Sequence, residues 1–503
     1  MSSWEEEQSR LLKLWNEVSS DSDLEAGSES EDDIVQQSDH NSASEEDAED
    51  LDTNKAADKV TPEYFNEPGT STSSEPSEAS AESLRDLDSS KRTGKSKFFV
   101  GRDGKTKWAK ECPKKSVRTR QENLITLLPG VRNNAKHCKL TSECWELFID
   151  DLMVADIVKY TNIKLNVVAE KYNSQHKYIV KPTDVDEIKA VFGLLYLAGV
   201  YKANRLNLEY LWATDGTGVE VFRLTMSMQR FVLLLQCLRF DNIETREQRK
   251  QIDKLAAIRG IFDRFVSNCQ QYYIPSQYVT IDEKLESFRG RCQFRQYMPN
   301  KPAKYGIKIF ALVDAKTFYV LNLEVYVGSQ PEGPFQVSNK PFDLVVRLVQ
   351  PISRTNRNVT FDNWFTSIPL MKYLLTEHRL TSVGTIRKNK KEIPAAFLVS
   401  KNRENSEPIF GFQKDVSLVS LVPKKNKIVL VASTLHHDDT FDADTRKPEI
   451  IHFYNQTKCG VDVVDEMSAL YNVSRVPKDN SQEALGLTTL EARELDLLLQ
   501  STD

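Results

Sequence analysis

Tyr278-Val279-Thr280-Ile281-Asp282 and Asn358-Val359-Thr360-Phe361-Asp362 are two short stretches written on one plan. Each alternates in character with period two, which predicts a strand. Thr280 and Asp282 share one face, as do Thr360 and Asp362, while Val279, Ile281, Val359 and Phe361 face the other way. Each strand is therefore expected to bury one side and deliver a carboxylate at its C-terminal end. If the two strands are neighbours, the aspartates converge. A third stretch, Gly460-Val461-Asp462-Val463-Val464-Asp465, reads as helix, and Asp462 and Asp465, three apart, project from one face of it. Carboxylates meeting on one sheet edge repel one another and are tolerated with a bound cation. Hard oxygen donors with open positions suit Mg²⁺ or Mn²⁺. Two such ions roughly 4 Å apart would activate a water or a 3′-hydroxyl and stabilise the leaving oxygen of an in-line displacement at phosphorus. Aspartates at strand ends also arise as loop caps and Asx-turns, so spacing alone leaves both readings open.

Working outward, the texture is β from Gln277 onward. KYGIKIFALVD and FYVLNLEVYVG read as two strands joined at Ala315-Lys316-Thr317. A helix is expected over Pro341–Val349, another over Ile368–Glu377, and a strand over Thr381–Ile386. Residues 388–435 are lysine-rich with short strands, such as LVSLV and KIVLVAS, and read as an insertion. Upstream, from Leu140 to about Gln270, apolar residues recur at three and four, which predicts helices. Ser142 precedes CWELFIDDLMVADIVKYTN, Pro182-Thr183 precedes VDEIKAVFGLLYLAGVY, and further helices are expected over Phe222–Phe240 and Arg249–Tyr273. The longest apolar run, Ala190–Tyr201, is too short to span a bilayer and reads as a buried helix.

Charge divides the 503 residues in two. Residues 1–90 hold 26 Asp and Glu against 5 Lys and Arg, while the remainder carries a net charge of +15. Poor in aromatics and rich in Ser, Glu and Asp, the acidic stretch cannot bury enough apolar surface to offset its ordering entropy and is expected to be disordered. Ser42 and Ser44, ahead of Glu45 and Glu46, suit an acid-directed kinase. The tail either tunes contact between the basic body and a polyanion or serves solubility. Residues 91–120 carry 12 Lys and Arg among Phe98, Phe99 and Trp108, a mixture suited to a phosphate backbone, to nuclear import, or to a solvated linker with packing anchors. The N-terminus is acidic and polar, unlike a signal peptide. The seven cysteines form no CxxC pair and read as reduced intracellular thiols, and sequons at Asn358, Asn455 and Asn472 read as chance matches. His436-His437-Asp438-Asp439 reads as an exposed loop, and Trp364 as packing beside Asp362.

The chain resembles the piggyBac transposase family. The resemblance is carried by IDEKLESFRGRC (281–292), MPNKPAKYGIKIFALVDAKTFYVLNLEVYVG (298–328), VTFDNWFTSIPLMKYLL (359–375), VGTIRKNKKEIP (383–394) and FYNQTKCGVDVVDEM (453–467). GRDGKTKW (101–108) and LFIDDLMVADIVKYTN (147–162) extend it, so that it runs in order from about residue 97 to 475. It implies an α/β fold: a ribonuclease-H-like DDE catalytic core with a β-rich insertion, preceded by a mostly helical domain and a disordered acidic N-terminus. The implied organisation is an acidic tail over 1–96, a basic segment and helical DNA-binding and dimerisation domain over 97–270, and the first part of the core over 271–387. The insertion follows over 388–435, the rest of the core over 436–475, and a divergent tail over 476–503.

By the resemblance, Asp282, Asp362 and Asp462 match the catalytic acids and Asp465 an additional acid. The implied cofactors are two divalent cations, Mg²⁺ or Mn²⁺. The implied partners are double-stranded DNA, as transposon ends and TTAA target, and a second copy of the chain, with no membrane; the implied location is the nucleus. Arg387 and Lys390 match basic positions linked to target DNA. Lys301, Lys304 and Arg289 are further candidates for phosphate contact or plain surface charge. After Tyr471–Arg475 the family's pattern stops. VPKDNSQEALGLTTLEARELDLLLQSTD instead suits a short amphipathic helix and lacks the cysteines of a zinc module. The altered end leaves three readings open: a transposase, a domesticated DNA- or chromatin-binding protein, and an inactive regulator of a full-length transposase.

Overall fold

A computed structural model of the chain describes residues 96–113, 120–170, 179–290, 292–299, 301–400, 403, 407–424 and 426–474. The acidic stretch 1–90, with its serine clusters, and the C-terminal 476–503 lie outside the described residues.

In chain order, a hairpin of β1 (Phe98–Val100) and β2 (Lys107–Ala109) comes first. The two-residue strands β3 (Gly130–Val131) and β4 (Tyr273–Ile274) pair with each other and bracket a helical region. That region holds α1 (Thr141–Phe148), α2 (Asp151–Ala169), α3 (Val185–Val200), α4 (Leu208–Leu211), α5 (Glu220–Thr225), α6 (Met228–Cys237), α7 (Ile243–Lys250) and α8 (Arg259–Tyr272).

Three helices expected as single runs are broken, each at a polar residue. Asp150 interrupts the first by accepting the N–H groups of Leu152 and Met153, and its other oxygen takes Arg264 Nε at 2.5 Å. Ser227 caps α6 through the N–H of Arg230 and separates it from α5. Between α7 and α8, buried Asp253 accepts the N–H of Leu255 and pairs with Arg259. A side-chain oxygen that takes an N–H of the next turn competes with helix continuation, which an apolar period does not reveal. Asp184 caps α3 by accepting the N–H of Glu187.

From β5 (Tyr278–Ser287) the chain builds β6 (Gln296–Tyr297), β7 (Tyr305–Asp314) and β8 (Val320–Val325). Then follow α9 (Pro341–Leu348), β9 (Asn358–Phe361), α10 (Ile368–His378) and β10 (Thr381–Thr385). Next are β11 (Ile409–Phe412), β12 (Ser417–Lys424) and β13 (Lys427–Ser433), and finally α11 (Glu449–Thr457) and α12 (Gly460–Leu470). β8, β7 and β5 pair antiparallel in that order, and β5, β9 and β10 pair in parallel. β10 continues antiparallel into β13, β12 and β11, so residues read as an insertion extend the same sheet, and Phe412 pairs with Ala109 to join the N-terminal hairpin to its edge.

One face of the central strands behaves as expected. Val279, Ile281, Val359 and Phe361 are fully buried against α9 and α10, each worth roughly 1.5–3 kcal/mol in apolar burial. The other face was expected to be open and is not. Thr280 and Thr360 are buried beneath α11: the Thr280 hydroxyl donates to the Thr457 carbonyl at 2.6 Å, and the Thr360 and Thr457 hydroxyls are 2.7 Å apart. A strand covered on both faces keeps its period-two pattern only in polarity, because a hydroxyl with a partner is as buriable as a methyl. Among the described residues no helix is long and apolar enough to cross a membrane. None of the seven cysteines, all of them among the described residues, forms a disulfide.

Candidate active site

The register Thr280↔Thr360 and Ile281↔Phe361 sets Asp282 beside Asp362, the next residue of each strand. Their settings differ. β9 ends at Phe361, so Asp362 stands at a strand terminus, as expected; β5 runs on to Ser287 through its pairing with β7, so Asp282 lies inside its strand, opposite Ala311. α12 brings the other two acids. It approaches closely because its first residue is Gly460: a Cβ there would stand 2.8 Å from the Thr280 hydroxyl. Asp462 and Asp465 project from α12, the first half exposed and the second mostly covered.

The Asp362 Oδ1 accepts the N–H groups of Trp364 at 2.8 Å and Phe365 at 3.4 Å, an Asx-turn in form. That turn fixes the direction of the carboxylate. Asp282 Oδ1 accepts the N–H of Glu283 at 2.8 Å. Burial, then the charges of Glu283, Asp362 and Asp462, push the Asp282 carboxyl well above the usual range. Burial and Glu283 raise Asp362 to about 6, against the opposing backbone N–H groups of Trp364 and Phe365 and the charge of Arg387. Burial also raises Asp465, against Lys301 and Lys284. Carboxylates raised first by burial, with Asp362 and Asp462 raising Asp282 further and Asp462 raising Asp465, are a donor set short of positive charge, which fits a hard divalent cation. Among the described residues no three His, Cys, Asp or Glu side chains stand close enough together to hold a metal ion.

The sequence candidates for phosphate contact fall in different places. Lys301 stands among the acids: its Nζ donates to the Glu283 carbonyl at 3.0 Å and lies 3.5 Å from Asp465 and 3.6 Å from Asp462. Burial lowers its pKa, but Asp465, Asp462, Asp282 and Glu283 together outweigh that, and the net shift is upward. Arg387 donates from Nε to Asn363 Oδ1 at 3.1 Å, next to Asp362. Lys390 closes the following turn by donating its N–H to the Arg387 carbonyl. Lys304 and Arg289 are exposed on the excursion between β5 and β7, and Lys304 takes a left-handed conformation at φ 54°.

Residues of the N-terminal turn, given no place at the site by the sequence, brace it. Trp108 is fully buried and donates its indole N–H to the Glu392 carbonyl. Arg102 donates to the carbonyls of Lys388, Lys390 and Ile393, and Asp103 N–H to that of Lys391. The N-terminal GRDGKTKW turn thus braces the basic loop that carries Arg387 and Lys390. The signal was a turn motif at one end of the chain and a lysine-rich loop at the other, with nothing local to join them. Arg102→Met should speed tryptic cleavage after Lys388, Lys390 and Lys391 by about tenfold or more, since hydrogen bonds to a charged donor are worth roughly 1.5–3 kcal/mol each. Limited proteolysis read by mass spectrometry tests this; unchanged cleavage would mean the loop holds itself. His436 corrects another expectation. It is half-buried rather than in an exposed loop: its Nδ1 lies 2.9 Å from Ser433 Oγ, its ring packs on Phe453, and burial lowers its pKa to about 4. Trp364 packs, as expected, stacked on Phe310 at 5.5 Å.

A sheet of order β8-β7-β5-β9-β10, antiparallel then parallel, with acids on adjoining central strands and on a helix laid across them, defines a ribonuclease-H-like core of the DDE class. A family model described as Transposase IS4 matches residues 141–490. The cryo-EM structure of a piggyBac transposase synaptic complex with hairpin DNA is 35% identical and superposes with a TM-score of 0.65, covering 75% of this chain and 77% of that one. Human PiggyBac transposable element-derived protein 3 is 24% identical over 353 residues, 66% of this chain. Human PiggyBac transposable element-derived protein 2 is 24% identical over 348 residues, 65% of this chain. In each case the chain spans 56% of the relative's length. The chain belongs to the piggyBac family of DDE transposases.

Proposed function

We propose that the chain is a DNA transposase that hydrolyses phosphodiester bonds and transfers strands at TTAA sites. The observation that carries this reading is the parallel register that sets Asp282 beside Asp362, with Asp462 in electrostatic reach of Asp282. Asp282, Asp362 and Asp462 would hold divalent cations, Mg²⁺ or Mn²⁺, with Asp465 as the additional acid. Such ions supply activation of a water or 3′-hydroxyl and charge neutralisation at phosphorus. The protein supplies position. Asp282 is fixed by a strand paired on both sides, Asp362 by its turn, and the helix acids by the Thr457 contacts and by Lys301. Arg387 and Lys390, on the braced loop, face target DNA; Lys304 and Arg289 are placed to meet phosphates further out. The reading includes action as a homodimer on double-stranded transposon ends, and a nuclear location suited by the basic stretch 91–120. The neighbouring solved structure is itself a transposase complex with hairpin DNA, which supports DNA as the partner.

A second reading rests on the curated relatives, human proteins named as derived from transposable elements. On it, the chain is a domesticated DNA- or chromatin-binding protein, or an inactive regulator of a full-length transposase. Cleavage of TTAA-flanked transposon-end DNA with Mg²⁺ or Mn²⁺, beside Asp282→Ala, separates the two. Cleavage by the unaltered chain alone is the expected result. Binding without cleavage would leave the second reading.

A further inference from the structure

Lys308 is one of the buried lysines of the central sheet, at 7% exposure on β7. The two other covered lysines near the acids have protein partners. Lys284 bonds Ser468 Oγ at 3.0 Å and lies 3.4 Å from Glu286, and Lys301 sits among the carboxylates. Lys308 has only rings. Its Nζ lies 4.8 Å from the centroid of Phe310, 5.0 Å from Trp364 and 5.9 Å from Tyr326. Among the described residues no carboxylate, carbonyl or hydroxyl takes a hydrogen bond from it. Glu283, on the same face and opposite Phe310 in the register, forms no ion pair with it.

The cage is itself well fixed. Phe310 and Trp364 stack at an interplanar angle of 10°, and Tyr326 meets Phe310 edge-on. A ring face attracts an ammonium by about 0.5–2 kcal/mol, but it does not replace the three acceptors that an ammonium loses on leaving water. A cation held this way is completed by an anion from outside. The place is informative. Trp364, which walls the cage, donates its backbone N–H to Asp362, so the ammonium is linked through one residue to the acid at the end of β9. An anion reaching Lys308 therefore lies at the same end of the sheet as the acids. It lies on the Glu283 face, since Ala311, opposite Asp282, alternates with Phe310 and Lys308 along β7.

We propose that Lys308 is a phosphate-binding residue, which takes a non-bridging oxygen of the DNA backbone where the strand crosses the end of the sheet. The proposal rests on the DNA-processing reading above and adds a contact outside the acids and the Arg387 loop. The aromatic cage makes it specific for position. It removes the rotamer freedom a surface lysine would have to give up on binding, so the ammonium is aimed before DNA arrives.

The test is the salt dependence of binding to a short TTAA-containing duplex. Each phosphate neutralised contributes about 0.9 to the slope of log affinity against log salt. Lys308→Met keeps an unbranched side chain that packs well against rings. It is expected to lower the slope by about 0.9, with Lys308→Arg restoring it. An unchanged slope in a folded Met variant overturns the proposal. So does a Met variant whose only change is a lower melting temperature shared with Glu283→Gln, which would mark an internal ion pair.

If the Met variant does not fold, the wild-type chain is bound to a duplex carrying an activated internucleotide phosphate that forms phosphoramidates with lysines in contact. An adduct at Lys308 is expected; adducts on other lysines with none at Lys308 overturn the proposal. Cleavage is read separately. A chain that binds with a Lys308-dependent slope but cuts nothing loses the enzymatic reading and keeps this one. A chain that cuts with no Lys308 dependence does the reverse, and a chain that binds no duplex loses both.

Discussion

Asp362→Asn should lower cation-dependent strand cleavage by about 10³-fold or more while leaving DNA affinity within roughly twofold. The substitution is chosen for what it keeps. Asparagine has the same shape, and its Oδ1 can still accept the N–H groups of Trp364 and Phe365 that form the turn. What it removes is the negative charge next to Asp282. A cation-bound phosphoryl transfer that loses one ligand charge loses several kcal/mol of transition-state stabilisation, and about 1.4 kcal/mol is a factor of ten in rate. Affinity depends mainly on basic side chains meeting phosphates, none of which the change touches. A cleavage assay and a salt-titrated binding assay on the same preparation decide it. If cleavage survives at the wild-type rate, the aspartate serves only as a turn cap. If binding collapses with it, the aspartate holds the local fold. Asp282→Ala should give the same loss of cleavage, because the parallel register sets that residue beside Asp362.

The part of this site that the sequence disclosed is the part set by short-range periodicity. The parity of Thr280 with Asp282, and of Thr360 with Asp362, put both acids on one face before any pairing was known, and the parallel register then brought them level. The strands at Tyr305–Asp314 and Val320–Val325 and the helices at Pro341–Leu348 and Ile368–His378 were legible for the same reason. What stayed hidden depends on partners far away in the chain. That Asp282 is mid-strand follows from β7, and that Thr280 and Thr360 are buried follows from Thr457. The basic stretch 91–120 suited a phosphate backbone, nuclear import or a solvated linker with packing anchors. Its burial of Trp108 and its clamp on the Lys388–Ile393 carbonyls join residues nearly 300 apart. Lys301 was a candidate for phosphate contact or plain surface charge, and only the fold shows it facing carboxylates. The three helix breaks failed for a local reason. Asp150, Ser227 and Asp253 sit within apolar periods that continue across them, and the period outvoted the caps.

The same crowding of carboxylates should make the cation-free protein less stable at neutral pH than at mildly acid pH. A carboxyl raised from 3.8 to about 6 binds its proton more tightly folded than unfolded. Between those values the folded state therefore holds more protons than the unfolded one, and stability falls as pH rises through that window. Below about 4 both states are protonated and nothing is lost; above about 6 the loss is complete, on the order of 3 kcal/mol for Asp362 alone. Asp282, raised in the same direction by burial and by Glu283, Asp362 and Asp462, deepens the loss, and the group titrates together.

The same Asp362→Asn should then raise the melting temperature by several degrees at pH 7 in the presence of a chelator and change it little at pH 4. Mg²⁺ or Mn²⁺ should recover that stability in the wild-type chain, because a ligand bound only by the folded state adds its binding free energy to it. The cation should do much less for the Asn variant. Melting curves at pH 4 and 7, with and without cation, read all of this. Parallel shifts in wild type and variant would mean that the carboxylates do not share one charge-starved site. The expected pattern would mean that the charge these acids concentrate for chemistry is held at the expense of the apo fold, and that the cation removes the conflict.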